Sequence, residues 1–252
     1  MVHIVGAGAG DPELITIKGQ RLLSAADVVI YAGSLVNPEL LNFCKEDVEI
    51  FNSAEMTLDE VIKVIEVENA KGKDIVRLHT GDPSIYGAVQ EQTDILREKK
   101  IEFEIVPGVS SFLAAAAALK QEFTLPGITQ TVILTRQGGV TPVSEGESIK
   151  NLAAIPSTIC IFLSVKLLDK VIEELRAAGR DWTTPVAVVY KASWKDEKIL
   201  RGTLETISAK VKLAGIKRTA LIIVGDCLNA ARYEKSHLYS PKFSHIFRRA
   251  KS

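Results

Sequence analysis

The sequence has few cysteines and no excess of charge of either sign. Its 252 residues include only three cysteines, Cys44, Cys160 and Cys227, and this small, odd and widely spaced set argues against a disulfide framework and a metal knuckle. Lysine and arginine together number 31, and aspartate and glutamate together also number 31, so the formal net charge is zero. Nothing in that balance favours nucleic acid as a partner. We therefore expect a reducing, cytoplasmic setting and no bound metal.

Long apolar runs are also missing. The longest, residues 112–119, is rich in alanine and too short to cross a bilayer. The first apolar segment runs directly into Gly6, without the basic and apolar regions of a signal peptide. We expect no membrane partner, and the length fits one large or two ordinary domains.

Residues 74–87, D-I-V-R-L-H-T-G-D-P-S-I-Y-G, have the pattern of a buried strand that ends in a turn. The apolar run at residues 75–78 predicts the strand, and residues 80–83 are turn formers. An open α/β sheet binds its ligand at the carboxyl ends of such strands. Asp82 is either a turn or N-cap residue that accepts an amide hydrogen bond, or a carboxylate that helps to hold a ligand.

A glycine-rich loop, G-A-G-A-G-D at residues 6–11, follows the first predicted strand. Such loops hold phosphate oxygens on backbone amides, so a dinucleotide site is one hypothesis. The usual spacing requires glycine at position 11, where Asp11 stands, and the second strand, residues 28–31, is followed by A-G-S without a carboxylate for a ribose. A dinucleotide-dependent oxidoreductase is therefore the less favoured alternative.

Alternating strand and helix patterns predict an α/β fold with two domains. In the first half, helical patterns at residues 14–25 and 57–70 lie between strands and predict a largely parallel sheet. The strand at residues 101–106 leads to the alanine-rich helix, for which Ser110 or Ser111 is the expected N-cap.

The second half has its own strand patterns after a composition break at residues 126–127. The predicted strands are residues 131–135, 158–163, 185–190 and 220–225. The domain prediction is an N-terminal α/β domain at residues 1–123, a C-terminal α/β domain at 124–232 and a basic extension at 233–252.

Four motifs in sequence order resemble those of the tetrapyrrole (corrin and porphyrin) methyltransferases. They are V-G-A-G-A-G-D-P-E-L-I-T-I-K-G at 5–19, A-D-V-V-I-Y at 26–31, T-G-D-P-S-I-Y-G at 80–87 and V-P-G-V-S-S at 106–111. The resemblance covers almost the whole chain. Within that family the chain is most similar to the branch that methylates C11 of precorrin-4 in cobalamin synthesis. This narrower match lies at residues 31–38, 129–136, 189–199 and 238–248.

The resemblance implies two α/β domains with S-adenosylmethionine in the cleft between them, and a homodimer. The family's cofactor-contacting positions correspond here to Ala9, Thr80, Gly81, Asp82, Ile85, Ser110, Ser111, Leu163 and Ala192. Tyr86 either shapes the cofactor pocket or packs beneath it. The family commonly has proline where this chain has Ala9, which removes a backbone constraint.

The implied reaction is methyl transfer to C11 of cobalt-precorrin-4 or precorrin-4 by in-line displacement. Such a substrate carries several carboxylates, which predicts cationic side chains around it. The candidates, each near a predicted strand end or loop, are Lys18, Arg77, Arg136 and Lys191. For each of them a solvated surface position is the alternative.

No catalytic base is assigned. Relatives that methylate uroporphyrinogen have an aspartate just after the second motif, where this chain has Ala32 and Gly33. His79 is either a packed, hydrogen-bonded side chain or a catalytic one. Further alternatives are methylation at another tetrapyrrole position, a binding module without chemistry, and the diphthine-synthesising branch with its protein substrate.

Overall fold

The computed structural model describes residues 1–231 and 233–250. The chain forms two compact units: Met1–Ala115 with Lys191–Glu197, and the described residues of 116–190 and 198–252. Each unit has one five-stranded sheet. Arg232, Lys251 and Ser252, which belong to the predicted C-terminal domain and extension, lie outside the described residues.

The first sheet is entirely parallel, with strand order β3-β2-β4-β1-β5. Its strands are β1 (Val2–Gly6), β2 (Val28–Tyr31), β3 (Glu49–Asn52), β4 (Ile75–His79) and β5 (Phe103–Val106). The central strands β1, β2 and β4 are buried on both faces between two apolar clusters, as helix-covered parallel sheets require. This architecture confirms the predicted α/β class.

Four helices lie in the first half of the chain, and side-chain caps mark the start of the first two. The helices are α1 (Ile17–Ala25), α2 (Leu58–Ala70), α3 (Val89–Glu98) and α4 (Ser111–Leu119). The helix predicted from residue 14 starts only at Ile17, because Thr16 is its N-cap and accepts a hydrogen bond from the Gly19 amide at 3.0 Å. Thr57 and Glu60 form a reciprocal capping box at the start of α2.

The second sheet is mixed, with strand order β6-β7-β10-β8-β9. Its strands are β6 (Val132–Arg136), β7 (Thr158–Phe162), β8 (Pro185–Tyr190), β9 (Lys198–Thr203) and β10 (Ala220–Val224). Within it β6 and β7 are parallel, and the other pairs are antiparallel. The helices are α5 (Ile149–Ala153), α6 (Leu168–Ala177) and α7 (Ile207–Leu213).

The described residues contain neither a helix that is long and apolar enough to span a bilayer nor a cluster of three or more side chains suited to a metal ion.

Candidate functional site

The carboxyl ends of β1, β4 and β5 meet at one edge of the first sheet, because these three strands are parallel neighbours. The glycine-rich loop after β1 pairs directly with the T-G-D turn after β4. Gly8 and Gly81 exchange two backbone hydrogen bonds, of 3.3 and 2.9 Å, and the Ala7 amide donates to the His79 carbonyl at 2.7 Å. The two motifs singled out in the sequence therefore form one structure.

Glycine is required where the three turns meet. A Cβ atom on Gly6 would lie 2.6 Å from Gly108 Cα, and one on Gly108 would lie 2.1 Å from the Gly81 carbonyl oxygen. Real Cβ atoms do not approach backbone so closely. Gly81 also has φ +59°, which favours glycine. The edge is consequently lined by main chain, with amide and carbonyl groups close to its surface.

Asp82 connects two of these turns. Its Oδ1 accepts a hydrogen bond from the Ser84 amide at 2.8 Å, and its Oδ2 accepts one from the Gly108 amide at 2.9 Å. The first contact is the turn-type bond expected of an aspartate, and the second ties the turn after β4 to the turn after β5. A carboxylate has about four acceptor sites, so this half-buried group retains capacity for another donor.

The loop between the T-G-D turn and α3 has a strained backbone. Tyr86 and Ala88 have φ +54° and +48°, a conformation that costs a non-glycine residue roughly 1 kcal/mol or more. Between them, a Cβ atom on Gly87 would lie 2.2 Å from the Pro83 carbonyl oxygen. Tyr86 is 44% exposed and Ile85 is half-buried. Two predicted cofactor residues therefore lie on a loop with little freedom.

Ser110 and Ser111 lie at the start of α4, close to the T-G-D turn. Ser110 is buried, and its carbonyl accepts a hydrogen bond from the Leu113 amide at 3.0 Å. A Cβ atom on Gly81 would lie 3.6 Å from Ser110 Cα. The structure thus brings together Thr80, Gly81, Asp82 and Ser110 with the first residue of α4.

A turn from the second half of the sequence packs against the glycine-rich loop. Residues Lys191–Glu197, between β8 and β9, belong to the first unit. Ser193 Oγ accepts a hydrogen bond from the Asp11 amide at 3.0 Å. A Cβ atom on Gly10 would lie 2.1 Å from the Trp194 ring. Ala192, only 6% exposed, therefore belongs to the same unit as Ala9, which is half-buried.

Leu163 and Arg136 lie in the second unit, at the ends of the parallel strands β7 and β6. Leu163 has φ +55° and is 66% exposed. The buried Ser164 fixes this turn, since its Oγ accepts from the Gln137 amide at 2.8 Å and donates to the Phe162 carbonyl at 2.6 Å. The Arg136 guanidinium donates to the carbonyls of Thr141 and Pro142 at 3.0 and 2.8 Å.

Arg77 is in the interior, which does not fit the prediction that it binds substrate. Its Nε donates to Gln92 Oε1 and its Nη1 to the Ile30 carbonyl, both at 3.1 Å, and it is 7% exposed. Burial lowers the pKa of its guanidinium to about 10. We assign it a structural role, because its strand is covered on both faces and its donors point to buried acceptors.

The two candidate lysines are accessible, but each has a partner. Lys18 is half-exposed and forms an ion pair with Glu104. Lys191 Nζ lies 2.6 Å from Asp196 Oδ2 and 5.1 Å from the centre of the Trp194 ring. Either ammonium group can exchange its carboxylate for one from a ligand, since exposed ion pairs are weak.

His79 is buried and neutral. Desolvation, assisted by the charge of Arg77, lowers the pKa of its imidazole to about 3. Its Nε2 has no hydrogen-bond partner among the described residues. A group with this pKa does not carry a proton near neutral pH, which argues against a role as general acid.

Sequence reasoning did not identify Gln92, Asn37 or Ser164 as residues that support the site. Gln92 lies among the buried positions of α3. A polar residue at a helical position that is otherwise apolar could have identified it from the sequence. Asn37 donates to the Gly10 carbonyl at 2.8 Å. The contact joins residues far apart in sequence, so no local pattern predicts it.

The chain matches the family model for tetrapyrrole (corrin/porphyrin) methylases over residues 1–208. It is 57% identical to the cobalt-precorrin-4 C(11)-methyltransferase of Methanocaldococcus jannaschii, over 99% of this chain and 96% of that protein.

Two solved structures are also similar. The X-ray structure of a cobalamin biosynthetic enzyme, cobalt precorrin-4 methyltransferase, has a TM-score of 0.89 at 47% identity, over 90% of this chain and 95% of that one. Uroporphyrin-III C-methyltransferase from Thermus thermophilus, in complex with S-adenosylhomocysteine, has a TM-score of 0.77 at 28% identity, over 90% and 93% of the two chains.

Proposed function

This chain belongs to the tetrapyrrole (corrin/porphyrin) methylase family, and we propose that it is the S-adenosylmethionine-dependent enzyme that methylates C11 of cobalt-precorrin-4 in cobalamin biosynthesis. The single observation that carries this proposal is the backbone-lined edge where Gly6, Gly81 and Gly108 meet. The high identity to a relative named for this reaction supports the substrate assignment. Methylation at another tetrapyrrole position is the alternative.

The residues at this edge fit S-adenosylmethionine. Its amino, carboxylate and hydroxyl groups require donors and acceptors, and the T-G-D turn offers main-chain groups together with the Asp82 carboxylate. Access to that main chain depends on the glycines, because side chains at Gly6 and Gly108 would fill the space. We propose that the cofactor contacts Ala9, Thr80, Gly81, Asp82, Ile85, Tyr86, Ser110, Ser111 and Ala192. The family resemblance also implies a contact with Leu163.

The bound cofactor supplies an electrophilic methyl group on a sulfonium. The chain's contribution is to orient the reactants and to exclude water, since in-line displacement depends on alignment of the nucleophilic carbon with the methyl group. The strained, tightly packed backbone at residues 80–88 suits that task because it resists displacement. No residue at this edge is assigned as a base. Asp82 accepts hydrogen bonds from two backbone amides, and burial lowers the pKa of His79 to about 3, which makes its imidazole a weak base.

Cationic side chains are proposed to receive the carboxylates of the tetrapyrrole. The candidates are Lys18, Lys191 and Arg136, because each reaches solvent next to a strand end or loop. Arg77 is left out of this group because its donors are used inside the protein.

We also propose a cytoplasmic homodimer. Large apolar side chains near the C-terminus are strongly exposed, among them Tyr239 at 81%, Ile246 at 94% and Phe247 at 90%. Large apolar side chains exposed to this extent favour an interaction surface. The functional domains are proposed to be residues 1–123 and 124–232, with the basic extension from 233 onwards.

Calorimetric titration with S-adenosylhomocysteine tests the cofactor, with NADH as the parallel control. We expect saturable binding of the first and none of the second. Incubation with labelled S-adenosylmethionine and precorrin-4, with and without cobalt, then tests the substrate by mass spectrometry. Binding of NADH alone, or methylation at a different carbon, would contradict the proposal.

Replacement of Asp82 tests the turn itself. Asp82→Ala removes the acceptor for two amides, so we expect S-adenosylhomocysteine affinity to fall about tenfold or more while the fold survives. Asp94→Ala, which removes an exposed carboxylate of α3, is the matched control. Equal affinities of the two variants would remove Asp82 from the site.

A further inference from the structure

Buried side chains hold two consecutive carbonyl groups in the strained turn before α3. The His79 imidazole forms a hydrogen bond with the Gly87 backbone, and Gln92 Nε2 donates to the Ala88 carbonyl at 2.9 Å. Gln92 is itself held by Arg77, whose Nε donates to Gln92 Oε1 at 3.1 Å. All three side chains are more than nine-tenths buried. We refer to them as the Arg77–His79–Gln92 cluster.

The two ring nitrogens of His79 differ in their surroundings. Nε2 has no hydrogen-bond partner among the described residues, and we assign the contact with Gly87 to Nδ1. This contact favours the protonated ring, opposing the effect of burial on the pKa. A carbonyl acceptor has that influence, whereas an amide donor would have the reverse. His79 is neutral because desolvation lowers its pKa to about 3, and in the assigned tautomer its proton lies on Nδ1, directed at the Gly87 carbonyl.

The turn needs such support. Tyr86 and Ala88, on either side of Gly87, have left-handed backbone conformations, and these persist only where the surroundings hold them. Gly87 is confined on its other side by the Pro83 carbonyl oxygen. If the buried contacts were lost, the most favourable relaxation would move residues 84–88, the segment that carries Ile85 and Tyr86.

We propose that the Arg77–His79–Gln92 cluster is a positioning device that keeps residues 84–88 in the conformation required for cofactor binding. His79 and Gln92 are positioning residues that act through the Gly87 and Ala88 carbonyls. Arg77 holds Gln92 through its hydrogen bond to Oε1. The inference rests on the proposed function, since it explains why the loop after the T-G-D turn is rigid.

Substitutions at His79 separate the hydrogen bond from mere packing. In His79→Asn the side-chain amide occupies the place of Nδ1 and still donates to Gly87, whereas His79→Leu fills the space without a donor. Gln92→Met removes the contact with Ala88. Gln90→Met is the matched control, because Gln90 lies exposed on the same helix and its side chain donates a hydrogen bond to Asp94, away from the turn.

We expect the dissociation constant of S-adenosylhomocysteine, measured by calorimetry, to rise about tenfold or more in His79→Leu and Gln92→Met. It should stay within about threefold of the wild type in His79→Asn and Gln90→Met. In His79→Leu and Gln92→Met the KM for the cofactor should rise as well, whereas the KM for the tetrapyrrole should stay unchanged. Wild-type affinity in His79→Leu, or an equal loss in His79→Asn and His79→Leu, would overturn the proposal.

A second measurement needs neither a variant nor a ligand. Nitrogen-15 NMR of the free wild-type protein reports the His79 tautomer, and we expect the proton on Nδ1. A proton on Nε2, or a charged ring at pH 6, would refute the cluster even if the cofactor binds. Failure of the wild-type protein to bind S-adenosylhomocysteine would refute the proposed function instead, and the tautomer would still decide whether His79 holds the turn.

Discussion

The two units differ in what holds the ends of their parallel strands in place. After β1, β4 and β5 the chain is held by backbone against backbone, with Gly6, Gly81 and Gly108 in contact. After β6 and β7 it is held by side chains, chiefly Ser164. The contacts between the glycines leave no space for a Cβ atom. A side-chain hydrogen bond, by contrast, can be weakened without displacing the main chain. The first edge should therefore respond to substitution far more sharply than the second.

The largest effect is expected where the glycine contacts are broken. Gly108→Ala places Cβ against the Gly81 carbonyl, and a clash with backbone is relieved only by moving a turn. We expect a loss of about 3 kcal/mol or more in the free energy of unfolding, with S-adenosylhomocysteine binding abolished. Denaturant unfolding and calorimetry measure the two.

Gly146→Ala is the control for that substitution, since a Cβ atom there has nothing within 4 Å. It should change stability by less than about 0.5 kcal/mol. If both glycine variants bound the cofactor analogue equally, the first edge would not be the rigid one.

A smaller effect is expected at the second edge. Ser164→Ala leaves the buried Gln137 amide without an acceptor, which should reduce the free energy of unfolding by about 2 kcal/mol. Ser24→Ala, at an exposed position of α1, should be close to neutral. Urea unfolding of both variants gives the comparison, and a Ser164→Ala loss as large as that of Gly108→Ala would remove the contrast between the edges.

The smallest effect is expected in the pH dependence of the free energy of unfolding. It distinguishes the two units because their buried titratable groups differ. His79 has a folded-state pKa of about 3, below its value of about 6.5 in an unfolded chain. The stability linked to it is therefore complete above pH 6.5 and declines as the pH falls, because the unfolded chain takes up the proton first. Between pH 6.5 and 5 we expect a loss of about 1.5 kcal/mol.

The buried groups of the second unit should not make the free energy of unfolding depend on pH between pH 6.5 and 5. Its buried Cys160 has a pKa raised to about 12 by desolvation, so both folded and unfolded forms stay protonated there. Unfolding free energies of wild type and His79→Asn at several pH values check the assignment. A wild-type curve that is flat from pH 6.5 to 5 would contradict it, as would a slope that persists in His79→Asn.

The elements with strong internal patterns were predictable. The buried strands β1, β2 and β4 consist mostly of apolar residues, and α2 has a regular helical pattern, so the hydrophobic pattern sufficed. The edge strands β3 and β9 were missed because their residues are largely exposed, and exposed strands lack the apolar signal. The burial of Arg77 was not predicted, because charge alone does not indicate that Gln92 of the neighbouring helix accepts a hydrogen bond from it.

The sequence by itself determined the glycines, the turn residues and the order of the motifs, and with them the fold class and the family. These properties are local: a left-handed turn or a capped helix is encoded within a few neighbouring residues. Only the tertiary structure decided that Gly8 pairs with Gly81, that the turn at Lys191–Glu197 packs on the glycine-rich loop, and that Arg77 and His79 share the interior with Gln92. Those contacts join residues distant in the chain, and they form only when the strands take their places in the sheet.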